Sequence, residues 1–149
     1  MLIYFLRHAD AMPDGERPLS SKGVKQSKRV GKALDELGVS VDRIYTSPLL
    51  RAKQTAEIVG ESLGVQPEVT ARLDSGADLD DVRGLLGDGG PDLKVMLVGH
   101  EPDFSTIVGA LIGSGRVEMK KAGIALVECG KPVMRGGLLK WLAPPKRIG

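Results

Sequence analysis

At 149 residues, 42% hydrophobic and 27% charged, the chain can build one packed core without disulfide or metal staples. Its 21 Lys and Arg against 19 Asp and Glu leave a formal net charge of +2, without the dense cationic stripe of a nucleic-acid binder. No apolar run reaches the roughly 18 residues of a membrane span, and no basic leader precedes a long apolar stretch, so a cytoplasmic location is expected. The single cysteine, Cys129, cannot close an internal disulfide and reads as a buried strand residue.

Residues 2–6 (LIYFL) are short and continuously apolar, the pattern of a strand covered on both faces. A loop over 10–18 leads to Leu19-Ser20, where Ser20 is placed to cap a helix and Leu19 and Val24 to staple its entrance. The buried stripe of that helix is expected to be Val24, Ser27, Val30, Leu34 and Leu37, with Gly38 as the stop. Arg43-Ile44-Tyr45-Thr46 is the next strand. Ser47 then reads as an N-cap with Pro48 at the first helical position, and Leu49, Ala52, Ala56, Val59 and Leu63 form one face up to Gly64. A short strand is expected between Val65 and Leu73, an acidic loop over 74–78, a short helix over 79–86 and a turn-rich link from Gly87 to Pro91.

Lys94 to Val98 repeats the buried-strand pattern. Pro102 opens a fourth helix, with Phe104, Ile107, Val108, Leu111 and Ile112 at helical spacing. Residues 124–129 and 133–142 read as two closing strands, an antiparallel pair at the sheet's edge, and Pro144 to Arg147 as a tail. Strand and helix alternate four times, which argues for a mostly parallel sheet with helices on both faces, in one domain over 1–149. Trp141 and Tyr45 read as packing aromatics. Lys22, Lys25, Lys28, Arg29 and Lys32 form a cationic flank on the first helix: either a solvated face, or a surface that steers an acidic or phosphorylated partner.

The chain has only two histidines, and each directly follows a predicted strand: His8 in Leu6-Arg7-His8-Ala9-Asp10, and His100 in Val98-Gly99-His100-Glu101-Pro102. Strand ends are where open α/β sheets bind ligands. Arg51, in Ser47-Pro48-Leu49-Leu50-Arg51-Ala52, sits in the first turn of a helix that follows a third strand end. A neutral imidazole is a nitrogen nucleophile, and guanidinium forks match phosphoryl oxygens, so this set points to phosphoryl transfer. No glycine-rich dinucleotide turn follows the first strand, and no phosphate loop of the Lys-Ser/Thr type is present.

Leu6-Arg7-His8-Ala9 resembles the arginine-histidine signature of the histidine phosphatase superfamily, which usually has glycine where Ala9 stands. Ser47-Pro48-Leu49-Leu50-Arg51-Ala52-Lys53-Gln54-Thr55-Ala56 and Gly99-His100-Glu101-Pro102 resemble that family's second and third motifs. The short length, Arg17-Pro18-Leu19-Ser20 and the lack of a long lid insertion are similar to its small bacterial phosphohistidine phosphatase branch. The resemblance implies a phosphoglycerate mutase-like three-layer α/β sandwich, mostly parallel with an antiparallel edge. It also implies a metal-independent phosphatase with His8 as nucleophile and Arg7, Arg51 and His100 completing the phosphate pocket.

The proton donor that larger relatives carry between the second and third motifs has no clear counterpart. Asp74 is the best match, followed by Asp10. A phosphohistidine substrate eases this lack, because its imidazole leaving group can already carry a proton. Arg17 is a secondary candidate for binding substrate. Glu101 either joins it or caps the fourth helix. The expected substrate is a phosphohistidine-bearing protein, with a small phosphorylated molecule such as a sugar phosphate or nucleotide as the alternative. No cofactor, nucleic acid or membrane partner is expected, and a monomer is the default. Two other readings stay open: a metal site on His8, Asp10, His100 and Glu101, and a module that clamps phosphohistidine without turnover.

Overall fold

The computed structural model describes the backbone of residues 1–148 and side chains as far as Lys146. In chain order the elements are β1 (Leu2–Arg7), α1 (Ser21–Glu36), β2 (Arg43–Thr46), α2 (Leu50–Leu63) and β3 (Glu68–Val69). A 3₁₀ turn (Ala71–Leu73) leads to α3 (Leu79–Leu86), β4 (Lys94–Gly99), α4 (Asp103–Ile112), β5 (Ile124–Cys129), β6 (Gly137–Ala143) and α5 (Pro145–Ile148). The strands form one sheet in the order β3-β2-β4-β1-β5-β6. β1 to β4 run parallel, and β5 and β6 close the edge antiparallel.

The central strands are buried on both faces, and their side-chain alternation sorts the core into two layers. Ile3, Phe5, Val95 and Leu97 face α3 and α4, where Val82, Leu86, Phe104, Ile107 and Leu111 meet them. Tyr4, Leu6, Met96 and Val98 face α1 and α2, against Val30, Leu34, Ala52, Ala56 and Val59. The result is a three-layer α/β sandwich, with apolar strands enclosed as a parallel sheet requires. β1 leads through α1 toward one side of the sheet and β4 through α4 toward the other. The paired ends of β1 and β4 therefore mark the topological switch, where such sheets open a crevice.

Several local readings need correction. Leu37 is 61% exposed, because the helix ends at Glu36 and the chain turns away at Gly38 (φ 77°). The last strand begins at Gly137 rather than at 133, after a turn through Val133 and Gly136. The supposed tail forms α5, which packs on α1. Ser47 does not cap α2: Leu49 holds that position without a side-chain cap. Tyr45 is buried, and Trp141 packs edge-on to Tyr4 at 6.0 Å, in line with their reading as packing aromatics.

The loop after β1 is fastened to the start of α1. The Ser20 N–H donates to the Asp10 carbonyl at 3.0 Å, and the Asp10 N–H donates to Gln26 Oε1 at 2.9 Å. The Ser20 hydroxyl caps the helix by accepting from the Gly23 N–H at 3.0 Å. Gly23 is required by this contact, since a Cβ there would collide with the Asp10 carbonyl oxygen. Gly23→Ala should therefore destabilise the protein by about 1–3 kcal/mol, the usual cost of overpacking. Urea unfolding checks this, and an unchanged midpoint would mean that the loop and helix separate freely.

Candidate active site

Register brings the two histidines together. Arg7 pairs with Gly99 across the β1–β4 ladder, and the His8 N–H donates to the Gly99 carbonyl at 2.9 Å. The ring centroids of His8 and His100 lie 5.3 Å apart. The Ser47 N–H donates to the Val98 carbonyl at 3.0 Å, which brings the β2 end, and α2 with Arg51, to the same rim.

His8 is 6% exposed, and its Nδ1–H donates to the Ala9 carbonyl at 2.8 Å. A carbonyl only accepts, so Nδ1 carries the ring proton and Nε2 keeps its lone pair. The Ala9 N–H donates to Thr55 Oγ1 at 3.0 Å, and that hydroxyl donates to the Arg51 carbonyl at 2.8 Å. Thr55 thus ties the strand end that carries His8 to the helix that carries Arg51.

His100 Nε2 lies 2.7 Å from Ser47 Oγ, which also accepts the Leu49 N–H at 3.2 Å. The Ser47 hydroxyl has no other acceptor among the described residues, so its proton goes to Nε2 and the His100 proton sits on Nδ1. That atom, Arg7 Nε and Arg51 Nε are the buried side-chain polar atoms left without a partner among the described residues. Buried donors are almost always paired, and each orphan costs about 1–3 kcal/mol. Three orphan donors at one rim are what an oxyanion would satisfy.

The electrostatics agree. Burial is the main cause that pulls His8 down to about 4; the Ala9 carbonyl opposes it, and His100, Arg51 and Arg7 add to the fall. His100 is also pulled to about 4, by burial first and then by Arg51, against the opposing charges of Asp103 and Asp74. Both rings are therefore neutral at physiological pH. Burial is also the leading cause that lowers the two arginines from their ordinary value, yet both guanidinium groups stay charged.

The remaining candidates separate. Asp10 is engaged on both oxygens, accepting from Ser20 Oγ at 2.6 Å and from Lys121 Nζ at 2.9 Å. The hydrogen bond from Ser20, followed by that from Lys121, holds its carboxyl below the usual range. Glu101 accepts the Ser105 N–H at 2.7 Å and the Met119 N–H at 3.4 Å, and the Met119 carbonyl receives Arg7 Nη1 at 3.0 Å. It caps the start of α4 and braces Arg7. Asp74 is exposed and within Coulombic reach of both Arg51 and His100. Asp78 and Asp81 are consumed by the capping box of α3, and Asp80 pairs with Arg83. Arg17 approaches Arg51 from a loop where its own φ is 55°. Among the described residues, no three His, Cys, Asp or Glu side chains gather as a metal site.

Sequence reasoning missed Thr55, the Ser47–His100 bond, the Met119 carbonyl and Asp103, whose Oδ2 accepts the Gly76 N–H at 2.8 Å. Thr55 alone had a local signal: it is a polar residue on the buried face of α2, four positions after Arg51.

The sequence model of the histidine phosphatase superfamily (branch 1) matches residues 3–85, which hold the first two motifs. An uncharacterised protein of Picosynechococcus sp. is 39% identical over 142 residues, covering 87% of this chain and 86% of its own. The phosphohistidine phosphatase SixA of Escherichia coli is 32% identical over 121 residues, covering 74% of each chain. A solved structure of the protein histidine phosphatase SixA complexed with tungstate superposes with a TM-score of 0.90 at 27% identity, over 100% of both chains.

Two measurements test this geometry. In the unfolded chain a histidine titrates near 6.5. Because the folded values lie lower, stability is full above pH 6.5 and declines as pH falls toward about 4. The two imidazole C–H resonances should stay flat from neutral pH to about 5, and titration of either near 6.5 would contradict the burial argument. Ser47→Ala should free the His100 tautomer and weaken vanadate binding by roughly tenfold, about the value of one hydrogen bond. An unchanged inhibition constant would detach Ser47 from the site.

Proposed function

The chain belongs to the histidine phosphatase superfamily, hydrolases that act through a phosphohistidine intermediate, and we propose that it dephosphorylates phosphohistidine in proteins with His8 as nucleophile. The observation that carries this reading is the fixed tautomer of His8, whose free Nε2 lone pair shares a rim with three unpaired buried donors. In the first step Nε2 attacks phosphorus and the P–N bond to the substrate imidazole breaks, leaving the phosphoryl group on His8. In the second, water attacks phosphorus, its protons pass to solvent and phosphate, and the His8 Nε2–P bond breaks. Arg7, Arg51 and His100 Nδ1–H hold the equatorial oxygens through both steps, where fixed donors lower the barrier most.

The carboxylates near the pocket support phosphohistidine over an ester. An alkoxide must be protonated as it leaves, whereas an imidazole protonated on its far nitrogen departs neutral. Asp10 is a poor acid here, since Ser20 and Lys121 keep it ionised. Asp74 is exposed and is the remaining donor for slower ester hydrolysis. Glu101 acts as a brace rather than a substrate contact, and Arg17 lies at the mouth beside Arg51. That an E. coli protein 32% identical to this chain is a phosphohistidine phosphatase gives further support.

The test compares kcat/KM on a phosphohistidine peptide, a phosphoserine peptide and an alkyl phosphate. Phosphohistidine should lead, and Asp74→Asn should spare it while slowing the ester. A loss of about a thousandfold on both, the scale of an essential general acid, would move the assignment to phosphate esters. His8→Ala should lose all substrates by at least about 10²–10⁴-fold, and the trapped phosphoenzyme should be labile to acid and stable to base. Arg51→Lys should weaken vanadate binding despite keeping the charge, because an ammonium cannot reproduce the bidentate fork.

A further inference from the structure

Beside the catalytic rim lies an open groove of about 740 Å³ that shares Arg7 with the site. Four parts of the chain build it: the end of β1 with the loop after it, α1, the turn before β5 and the start of α5 with the residue before it. Its cations are Lys22, Lys25 and Arg29 on one helix face, Lys120 and Lys121 on the turn, and Lys146 on α5. A single carboxylate, Asp10, faces them, and Lys121 already pairs with it at 2.9 Å. Lys120 pairs with Glu118, whereas Lys22, Lys25, Arg29 and Lys146 have no ion-pair partner among the described residues. In a chain with a net charge of only +2, this is a strong segregation of charge. The cations are exposed and solvated, so together they set up a positive field that attracts an anionic partner.

The layout says what kind of anion fits. Lys22 and Arg29 are seven residues apart on α1, so their backbones are separated by about 10 Å along the axis. A single anion drawing both together would leave Lys25, Lys120 and Lys146 unanswered, whereas several anionic groups spaced along the groove answer them all. An extended peptide sets same-side residues roughly 7 Å apart, so alternate acidic side chains can meet successive cations along the groove. Pro144 and Pro145 line the groove beside the cations, and this apolar lining suits the intervening side chains of a polypeptide better than a small, fully charged metabolite.

We infer that the groove binds an acidic polypeptide segment, the part of the phosphoprotein substrate that flanks its phosphorylated residue. With the phosphoryl group held by Arg7 and Arg51, that segment leaves the site past Arg7 and runs along α1. The link to a phosphorylated residue rests on the function proposed above. Recognition of an acidic segment by the groove does not.

The experiment therefore has a binding arm and a turnover arm. Fluorescence anisotropy measures a labelled Glu-rich peptide without phosphate, and its Gln counterpart, on the parent, on His8→Ala and on Lys22→Ala/Lys25→Ala/Arg29→Ala. These three positions are exposed, and circular dichroism confirms that the triple variant is folded. The Glu peptide should bind the parent and His8→Ala equally. It should weaken by about tenfold or more in the triple variant and again with added salt, as electrostatic association does. The Gln peptide should not bind. Equal affinity of the Glu peptide for parent and triple variant, or tighter capture of a small bisphosphate or a DNA oligonucleotide than of the peptide, would overturn the inference.

In the turnover arm, phosphohistidine peptides with Glu or Gln flanks are compared with phosphoimidazole. The parent should favour the Glu flank through KM, and the triple variant should lose that preference while hydrolysing phosphoimidazole at the parent rate. A flank preference that survives in the triple variant also counts against the groove. If no phosphohistidine substrate turns over while the binding arm succeeds, it is the proposed reaction that fails and the groove that stands.

Discussion

Everything at the rim depends on the parallel register between β1 and β4. The ladder runs from Leu2 opposite Lys94 to Arg7 opposite Gly99, so the residue after each strand is a histidine at the same level. The core enforces this register. Phe5 and Leu97 point to one helical layer, and Leu6 and Val98 to the other. A slip of one residue would exchange every side chain between layers and lose both. Two imidazoles come to lie side by side because large apolar residues behind them allow only one pairing.

That placement has an electrostatic consequence. Two guanidinium groups and two histidines share a half-buried rim beside carboxylates that are largely engaged elsewhere: Asp10 by Ser20 and Lys121, Glu101 by the amides of Ser105 and Met119, and Asp103 by the Gly76 amide. Burial, aided by the arginines, keeps the histidines neutral against the pull of Asp103 and Asp74, and the orphan donors are left to an outside anion. A site satisfied by its own carboxylates would be more stable and would bind phosphate poorly. The unpaired donors are the stability cost of function, located at a strained or unsatisfied site where such costs collect.

Much of this was legible in the sequence because the strongest signals are local. Buried strands announce themselves by apolar runs, α1 by the Ser20 cap, and the catalytic candidates by basic residues at strand ends. What was illegible involves partners far apart in the chain. Ser47 satisfies every local rule for an N-cap, yet its hydroxyl serves His100, 53 residues away, and the capping rule has no access to that competitor. The same limit hides the Arg7–Met119 bond across 112 residues. Leu37 fails differently: helical spacing marks it as a core position, but the helix stops one residue earlier and leaves it outside. The C-terminal prolines read as a tail because their partner, the surface of α1, exists only in the folded chain.

The two tiers of positive charge do different work, and their chemistry shows it. At the rim the cations are arginines, Arg7 held by the Met119 carbonyl, and they present rigid forks to a group whose oxygens occupy fixed positions. Along the groove they are mostly lysines, mobile point charges that suit a ligand whose carboxylates vary in spacing. Mobility also lowers the penalty for a poorly matched partner, so the groove attracts and aligns while the rim discriminates. The near-neutral balance of the whole chain sharpens the division: six cations and one carboxylate line the groove outside the rim, while the chain as a whole carries a net charge of only +2. A polyanion is then drawn to the face where Arg7 leads into the pocket, not to the protein at large.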